Sequence, residues 1–97
     1  MFYCKTYKWK KDFLVAVCDK EIINREFLFN DIIFKTNEEF YGKKIHTEED
    51  VKEILSNATI INAVGKNIIE FLIKEDLIEK EKIIKIGETL HAQMVRL

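Results

Sequence analysis

Several residue types are absent or scarce in this chain, and each absence narrows its class. Proline is absent, glycine occurs three times, and Gln93 is the only glutamine among 97 residues. No apolar run reaches the roughly 20 residues that a membrane-spanning helix needs. The N-terminus lacks the long apolar segment of a signal peptide, so we expect a cytoplasmic protein. The formal net charge is −1, so any basic surface for nucleic acid must be local.

What is present fits one folded domain spanning residues 1–97. Hydrophobic residues make up 47% of the chain and charged residues 34%, which is enough apolar material for one core and argues against disorder. Lysine, glutamate and isoleucine dominate. This bias is typical of a thermophile, although AT-rich coding gives the same bias.

The two cysteines, Cys4 and Cys18, are expected to be reduced in the cytoplasm. If residues 10–12 form a three-residue loop, Trp9 pairs with Phe13 and Cys4 lies opposite Cys18. The two thiols are then either a free buried pair or a disulfide. A two-residue loop shifts the register and separates them.

The N-terminal half reads as β-structure. Phe2 to Trp9 is an aromatic-rich strand, and the apolar run Phe13 to Cys18 predicts a central strand that is buried on both faces. Lys20 to Asn24 reads as a turn or a single helical turn. Asn30-Asp31 predicts a hairpin between the apolar segments 27–29 and 32–34.

Two helices and a second hairpin follow. Thr47 is expected to cap a helix whose apolar face repeats through Val51 and Leu55. A second helix is predicted from about Ala63 to Glu75, with Asn62 as its cap. Strands 83–86 and 89–95 flank Gly87-Glu88, which suits a two-residue hairpin. The order predicts an α+β fold with a mostly antiparallel sheet, two packed helices and a C-terminal β-hairpin.

The N-terminal strand and its loop combine lysines with aromatic residues. Such a pattern is typical of single-strand binders, in which aromatic rings stack bases and lysines hold phosphates. An edge strand protected by lysines gives the same pattern. The candidate nucleic-acid-binding residues are Lys5, Lys8, Lys10, Lys11, Tyr7 and Trp9.

Lys66 is a further candidate, because it lies near the start of the second helix. Free backbone N–H groups and the adjacent Gly65 could hold a phosphate there. The glycine spacing of a Walker motif is absent. Close packing of the helix on the sheet is the alternative explanation for Gly65.

A third group contains His91, Asp19 and Tyr41. If the last strand lies near the central one, His91 and Asp19 could meet and act as a general base. A hydrogen-bonded structural histidine is the alternative. No motif places a nucleophile, and the Cys and His spacings match no zinc pattern, so neither a metal nor another cofactor is expected.

The chain resembles the small archaeal family known as domain of unknown function number four-two-four. Four segments carry the resemblance, namely residues 15–21, residues 39–42, residues 64–66 with the following helix, and residues 86–93. The resemblance implies an archaeal, cytoplasmic protein that has been described as RNA-binding without an established activity. Asn24 and Asp76 stand where glycine is expected, and both residue types tolerate positive φ.

We therefore expect a small RNA- or ribonucleoprotein-binding protein connected with translation. One alternative is a protein-interaction module that uses a sheet edge or an exposed hairpin. The other is a small enzyme built on His91 and Asp19, which we favour less than a non-enzymatic protein.

Overall fold

The computed structural model describes residues 1–96, which form a six-stranded sheet, a two-stranded sheet and three α-helices. The strands are β1 (Phe2–Trp9), β2 (Asp12–Asp19), β3 (Glu26–Phe29), β4 (Ile32–Lys35), β5 (Ile45–His46), β6 (Ile60–Val64), β7 (Ile83–Ile86) and β8 (Thr89–Val95). The helices are α1 (Glu38–Tyr41), α2 (Glu48–Leu55) and α3 (Lys66–Lys74). The predicted α+β fold with a C-terminal hairpin is confirmed. No helix within these residues is long and apolar enough to cross a membrane.

The large sheet has the strand order β5-β1-β2-β6-β8-β7. All neighbours pair antiparallel except β2 and β6, which run parallel. A parallel pair requires a crossover connection, and here the segment containing β3 to α2 supplies it. The prediction that β2 is a central buried strand is confirmed.

The two faces of this sheet are covered by different elements. Val15 and Ile61 belong to the core that α2 and α3 cover. Ala16 and Cys18 belong to a smaller cluster with Tyr41 of α1, against which Phe34 of β4 packs. The period-two alternation of β2 therefore divides its apolar residues between two cores. The large sheet lies between two helices and a layer made by α1 and the β3–β4 hairpin.

The predicted start of the second helix is wrong. Ile60–Val64 is a strand, β6, and α3 begins only at Lys66. Asn62 lies within β6 and does not cap α3. The β-branched residues of this segment pair with β2 in a register that joins Val15 to Ile61. The short elements α1 and β5 were also not predicted.

The predicted juxtaposition of the two cysteines is wrong as well. The β1–β2 turn contains two residues, so Trp9 pairs with Asp12. Cys4 then lies opposite Val17, and Cys18 lies opposite Tyr3. Adjacent strand positions point to opposite faces, so the two thiols are buried on different sides of the sheet and are free.

Other local predictions hold. Thr47 caps α2 in a capping box with Asp50. The two positions at which the family resemblance expected glycine, Asn24 and Asp76, have φ values of 60° and 57°. Both residues therefore adopt the left-handed conformation that glycine would adopt easily.

Candidate functional site

The turn between β1 and β2 carries an exposed aromatic ring among lysines. Trp9 is 72% exposed. The Nζ atom of Lys10 lies 5.7 Å from the centroid of the Trp9 ring, which is a cation–π distance. Lys8 and Lys11 are exposed beside them. We call residues 8–11 the basic turn, and it places four of the candidate nucleic-acid-binding residues together in solvent.

The backbone of Lys10 is in an unfavourable conformation, with φ at 54°. In the part of the chain that the structure describes, the other non-glycine residues with positive φ are Asn24, Asn30, Asp31 and Asp76. Asparagine and aspartate tolerate this region because their short polar side chains bond locally, whereas a lysine side chain does not. Non-glycine residues held in this region occur preferentially at functional sites. A lysine therefore occupies a position where glycine or asparagine would be less strained.

Two further lysines, Lys43 and Lys44, lie along the β1 edge beside the candidate Lys5. The sequence did not indicate them as candidates. Lys43 and Lys44 line a depression of about 560 Å³ together with Lys5. A neighbouring depression of about 720 Å³ is also lined by Lys5 and Lys44 and reaches Asp50 of α2. The pairing of β5 with the start of β1 brings these lysines to the edge. Because carboxylates also line both depressions, the edge has mixed charge.

Tyr7 is engaged within the protein. Its hydroxyl donates a hydrogen bond of 2.6 Å to the carbonyl of Phe40, and the two rings stack with centroids 5.5 Å apart. Lys5 donates a 2.9 Å bond from Nζ to the carbonyl of Glu39. Both candidate residues thus hold α1 against β1. Of the two aromatic candidates, Trp9 is therefore the one whose ring is exposed for stacking.

Asp19, at the carboxyl end of β2, is fixed to the start of α3. Its side chain accepts hydrogen bonds from the backbone N–H groups of Asn67 (2.9 Å) and Ile68 (2.8 Å). Asp19 is only 4% exposed, and burial raises the pKa of its carboxyl group despite these bonds. The N–H groups proposed for a phosphate are therefore occupied by a carboxylate of the protein itself. Lys66 is exposed beside them without that cradle.

Gly65 makes this contact with Asp19 sterically feasible. A Cβ atom at position 65 would lie 2.2 Å from Cγ of Asp19, and φ of Gly65 is 125°. No other residue fits this position without displacing the carboxylate. Of the two explanations that the sequence left open for Gly65, close packing matches the geometry.

His91 bonds to Asn62 rather than to Asp19. Nε2 of His91 lies 3.2 Å from Oδ1 of Asn62, which also accepts a 2.8 Å bond from the hydroxyl of Tyr41. Burial lowers the pKa of His91 and raises that of Tyr41. The neutral His91 donates from Nε2, since Oδ1 can only accept. The three side chains link α1, β6 and β8, and His91 and Asp19 do not form the predicted general-base pair.

A depression of about 320 Å³ lies at the carboxyl ends of β2 and β6. Ligands often bind at such ends in α/β sheets. Its charged lining comprises Arg25, Lys66, Asp19, Glu21 and Glu88. Carboxylates outnumber cations, so this depression offers no field that would favour a phosphate.

The cysteines do not form a reactive or metal-binding centre. Burial raises the pKa of the Cys4 thiol to about 11 and that of Cys18 to about 12. Both remain protonated at neutral pH and are poor nucleophiles. No group of three His, Cys, Asp or Glu side chains within residues 1–96 is arranged to hold a metal ion.

The comparisons with known proteins agree with the fold. The model of a family described as proteins of unknown function, DUF424, matches residues 7–97. The chain is also similar to a solved structure described as an uncharacterized conserved protein from Methanopyrus kandleri. The TM-score is 0.79 and the identity 18%, with 99% of this chain and 93% of that chain covered. No curated protein matches the chain.

Proposed function

The chain belongs to the DUF424 family, and on that premise we propose that it binds single-stranded RNA at the basic turn. The family has no established activity, so the proposal rests on the geometry of the turn. A cytoplasmic location and a connection with translation complete the proposal. The sequence resemblance supports both of these parts, and the basic and aromatic residues of β1 also support the connection with translation.

The observation that carries the proposal is the conformation of Lys10. The turn requires positive φ at this position, and Asn or Gly would satisfy it with less strain. A lysine there places its ammonium group over the exposed ring of Trp9. A cation and an aromatic ring at this solvent-facing turn are the two groups that an unpaired nucleotide needs, one for its phosphate and one for its base.

The chemistry of the turn suits a single strand better than a duplex. Trp9 can stack on an unpaired base, an interaction worth about 1–3 kcal/mol. Lys8, Lys10 and Lys11 can contact the phosphates on either side. In a duplex the bases are already stacked on each other, and the Trp9 ring has no face to contact.

The lysines along the β1 edge add cations to the surface that begins at the basic turn, with carboxylates among them. Lys5, Lys43 and Lys44 lie together, and Lys5 lies on the strand that ends in the basic turn. β5 pairs with the start of β1, and α1 is bonded to Lys5 and Tyr7. A single strand stacked on Trp9 would run past α1 towards Lys43 and Lys44.

Trp9 also supplies the measurement, because it is the only tryptophan in the chain. Titration with short oligouridine is expected to quench its fluorescence. If three lysines contact phosphates, the logarithm of the binding constant should fall against log salt with a slope of about −2. Double-stranded RNA of equal length should bind more weakly.

Matched variants locate the site. Lys10→Glu with Lys11→Glu should abolish binding, and Trp9→Ala should weaken it by about tenfold or more, whereas Trp9→Phe should retain part of it. Lys80→Glu with Lys82→Glu makes the same charge change in another exposed turn and should reduce affinity far less. Variants that carry Ala or Phe at position 9 are followed by polarisation of a labelled RNA. Unchanged affinity in the Lys10→Glu, Lys11→Glu protein would overturn the proposal.

A further inference from the structure

The hairpin of β3 and β4 exposes an unusual amount of apolar surface. Leu28, Ile32 and Ile33 are 64%, 67% and 63% exposed. Across residues 1–96 only Trp9 is more exposed among the large apolar side chains. Single exposed hydrophobic residues are ordinary, but a group within six consecutive residues indicates a contact surface. We call residues 26–35 the arm.

One face of the arm is fixed to the large sheet. Phe27 is buried, and its pairing partner Phe34 makes an edge-on contact with His91, with ring centroids 5.5 Å apart. Leu28 pairs with Ile33 and Glu26 pairs with Lys35. Since adjacent strand positions face opposite ways, these two pairs lie together on the outer face, whereas Ile32, the partner of Phe29, lies on the other face at the tip of the arm.

The base of the arm is well ordered by hydrogen bonds around Thr36, which is fully buried. Its hydroxyl accepts from the N–H of Arg25 (2.9 Å) and donates to the carbonyl of Ile22. Its carbonyl accepts from the N–H of Asn24 (2.6 Å). The outer face is therefore held in position, although an isolated two-stranded sheet is marginally stable in water.

We propose that the outer face of the arm is the contact with a second copy of this chain, related by a twofold axis. Leu28 and Ile33 form the apolar part of this face, and Glu26 and Lys35 lie side by side at its base. Under a twofold axis that runs parallel to the strands such a face is complementary to itself, because Leu28 of each copy meets Ile33 of the other and Glu26 meets Lys35. Glu26 balances the charge of Lys35 on this face, so the face offers no cationic field for RNA.

The size of the face predicts weak association. A standard interface buries about 800 Å² on each partner, and the outer face of a hairpin with four-residue strands offers less. The dimer should therefore form at high protein concentration and dissociate on dilution. Sedimentation velocity over a wide concentration range measures this directly, and a monomer at every concentration would overturn the proposal.

Substitutions on the arm decide whether it forms the interface. Leu28→Thr with Ile33→Thr keeps β-propensity, removes the apolar contact, and should weaken the dimer by about tenfold or more. Val95→Thr changes an exposed aliphatic residue outside the arm and is the matched control. A dimer that persists unchanged in the double variant would show that the interface lies elsewhere.

Charge reversal provides a test that does not depend on apolar substitutions. Lys35→Glu and Glu26→Lys should each prevent self-association, because like charges then meet in both of the pairs that form between the copies. An equimolar mixture of the two variants restores opposite charges in both pairs and should form a heterodimer. Circular dichroism shows that each variant is folded. Folded variants that remain monomeric when mixed, although the wild type dimerises, would contradict the proposed twofold arrangement.

Discussion

The two ends of β2 both carry polar residues next to an apolar strand, but they differ in almost every physical respect. At the carboxyl end, Asp19 is buried, bonded to two N–H groups of α3 and in contact with Gly65. At the amino end, the basic turn is exposed and holds Lys10 in a strained conformation. We call these the closed end and the open end.

The comparison separates polar residues that are bonded within the fold from polar residues that are free to bind a ligand. At the closed end the carboxylate of Asp19 and the N–H groups of Asn67 and Ile68 bond to one another, so no ligand is needed to explain these residues. At the open end the lysines and Trp9 are exposed, and the short turn and the contact of the Lys10 ammonium group with the Trp9 ring hold Lys10 in its strained conformation. A polar residue at a strand end is thus a candidate binding site when the fold gives its side chain no hydrogen-bonding or ionic partner.

The largest predicted effect breaks the closed end. Gly65→Ala places a methyl group against Cγ of Asp19 in a backbone region that only glycine adopts easily. We expect a loss of more than about 3 kcal/mol in the free energy of unfolding, measured with urea. Gly87→Ala is the control, because φ is 58° there and the added Cβ meets its neighbours at 3.4 Å or more. Similar losses in the two variants would mean that the contact with Asp19 is unimportant.

The next effect removes one of the two bonds at the closed end. Asp19→Asn keeps the shape but offers one acceptor oxygen, so an N–H group of Asn67 or Ile68 faces an amide N–H₂. The unfolding free energy should fall by about 2 kcal/mol at neutral pH. Affinity for oligouridine should stay unchanged, since the open end is not altered. Loss of RNA binding in a folded Asp19→Asn protein would indicate that RNA binds at the closed end and would contradict the proposed site at the basic turn.

A smaller effect is the pH dependence caused by His91. Burial lowers its pKa below the ordinary value of 6.5, so the unfolded chain binds this proton more tightly than the folded one. The contribution of His91 to stability is therefore present above about pH 6.5 and is lost as pH falls through and below that value. His91→Phe should abolish this part of the pH dependence. The free energy of unfolding in urea is measured against pH for both proteins. If it falls equally in both as pH decreases, His91 is not the group responsible.

The smallest effect on stability concerns the open end. Lys10→Gly relieves the left-handed strain, although glycine also increases the entropy of the unfolded chain. We expect a net gain of about 0.5 kcal/mol. The same variant should bind oligouridine more weakly than wild type. A gain in stability with unchanged affinity would mean that the strain has no connection with RNA.

Much of the fold follows from local pattern. The alternation and apolar runs predict β1, β2 and both hairpins, and Thr47 predicts the start of α2. The parallel strand β6 was missed because its apolar residues run directly into those of α3, and only the pairing with β2 marks the boundary at Gly65. Helical and strand periods are not distinguishable over such a short segment.

The site was less predictable. Lys43 and Lys44 lie beside Lys5 because β5 pairs with β1. No local sequence pattern predicts that pairing. Whether Cys4 lies opposite Cys18 depends on whether the β1–β2 loop has two residues or three. The positive φ of Lys10 allows the two-residue turn. Whether Asp19 faces a ligand or a helix is likewise decided by the crossover that sets α3 beside β2, a long-range contact.

The parallel pairing of β2 with β6 also has a consequence for the rate at which the chain folds. Leu14 pairs with Ile60 and Val15 pairs with Ile61, so forming the centre of the sheet requires closing a long loop. The entropy cost of that closure comes before the β2–β6 contacts stabilise the chain, which slows folding. The chain contains no proline, and the prolyl isomerisation that slows many proteins by tens of seconds is therefore absent. Refolding should be a single exponential phase whose speed is set by the docking of β6 on β2.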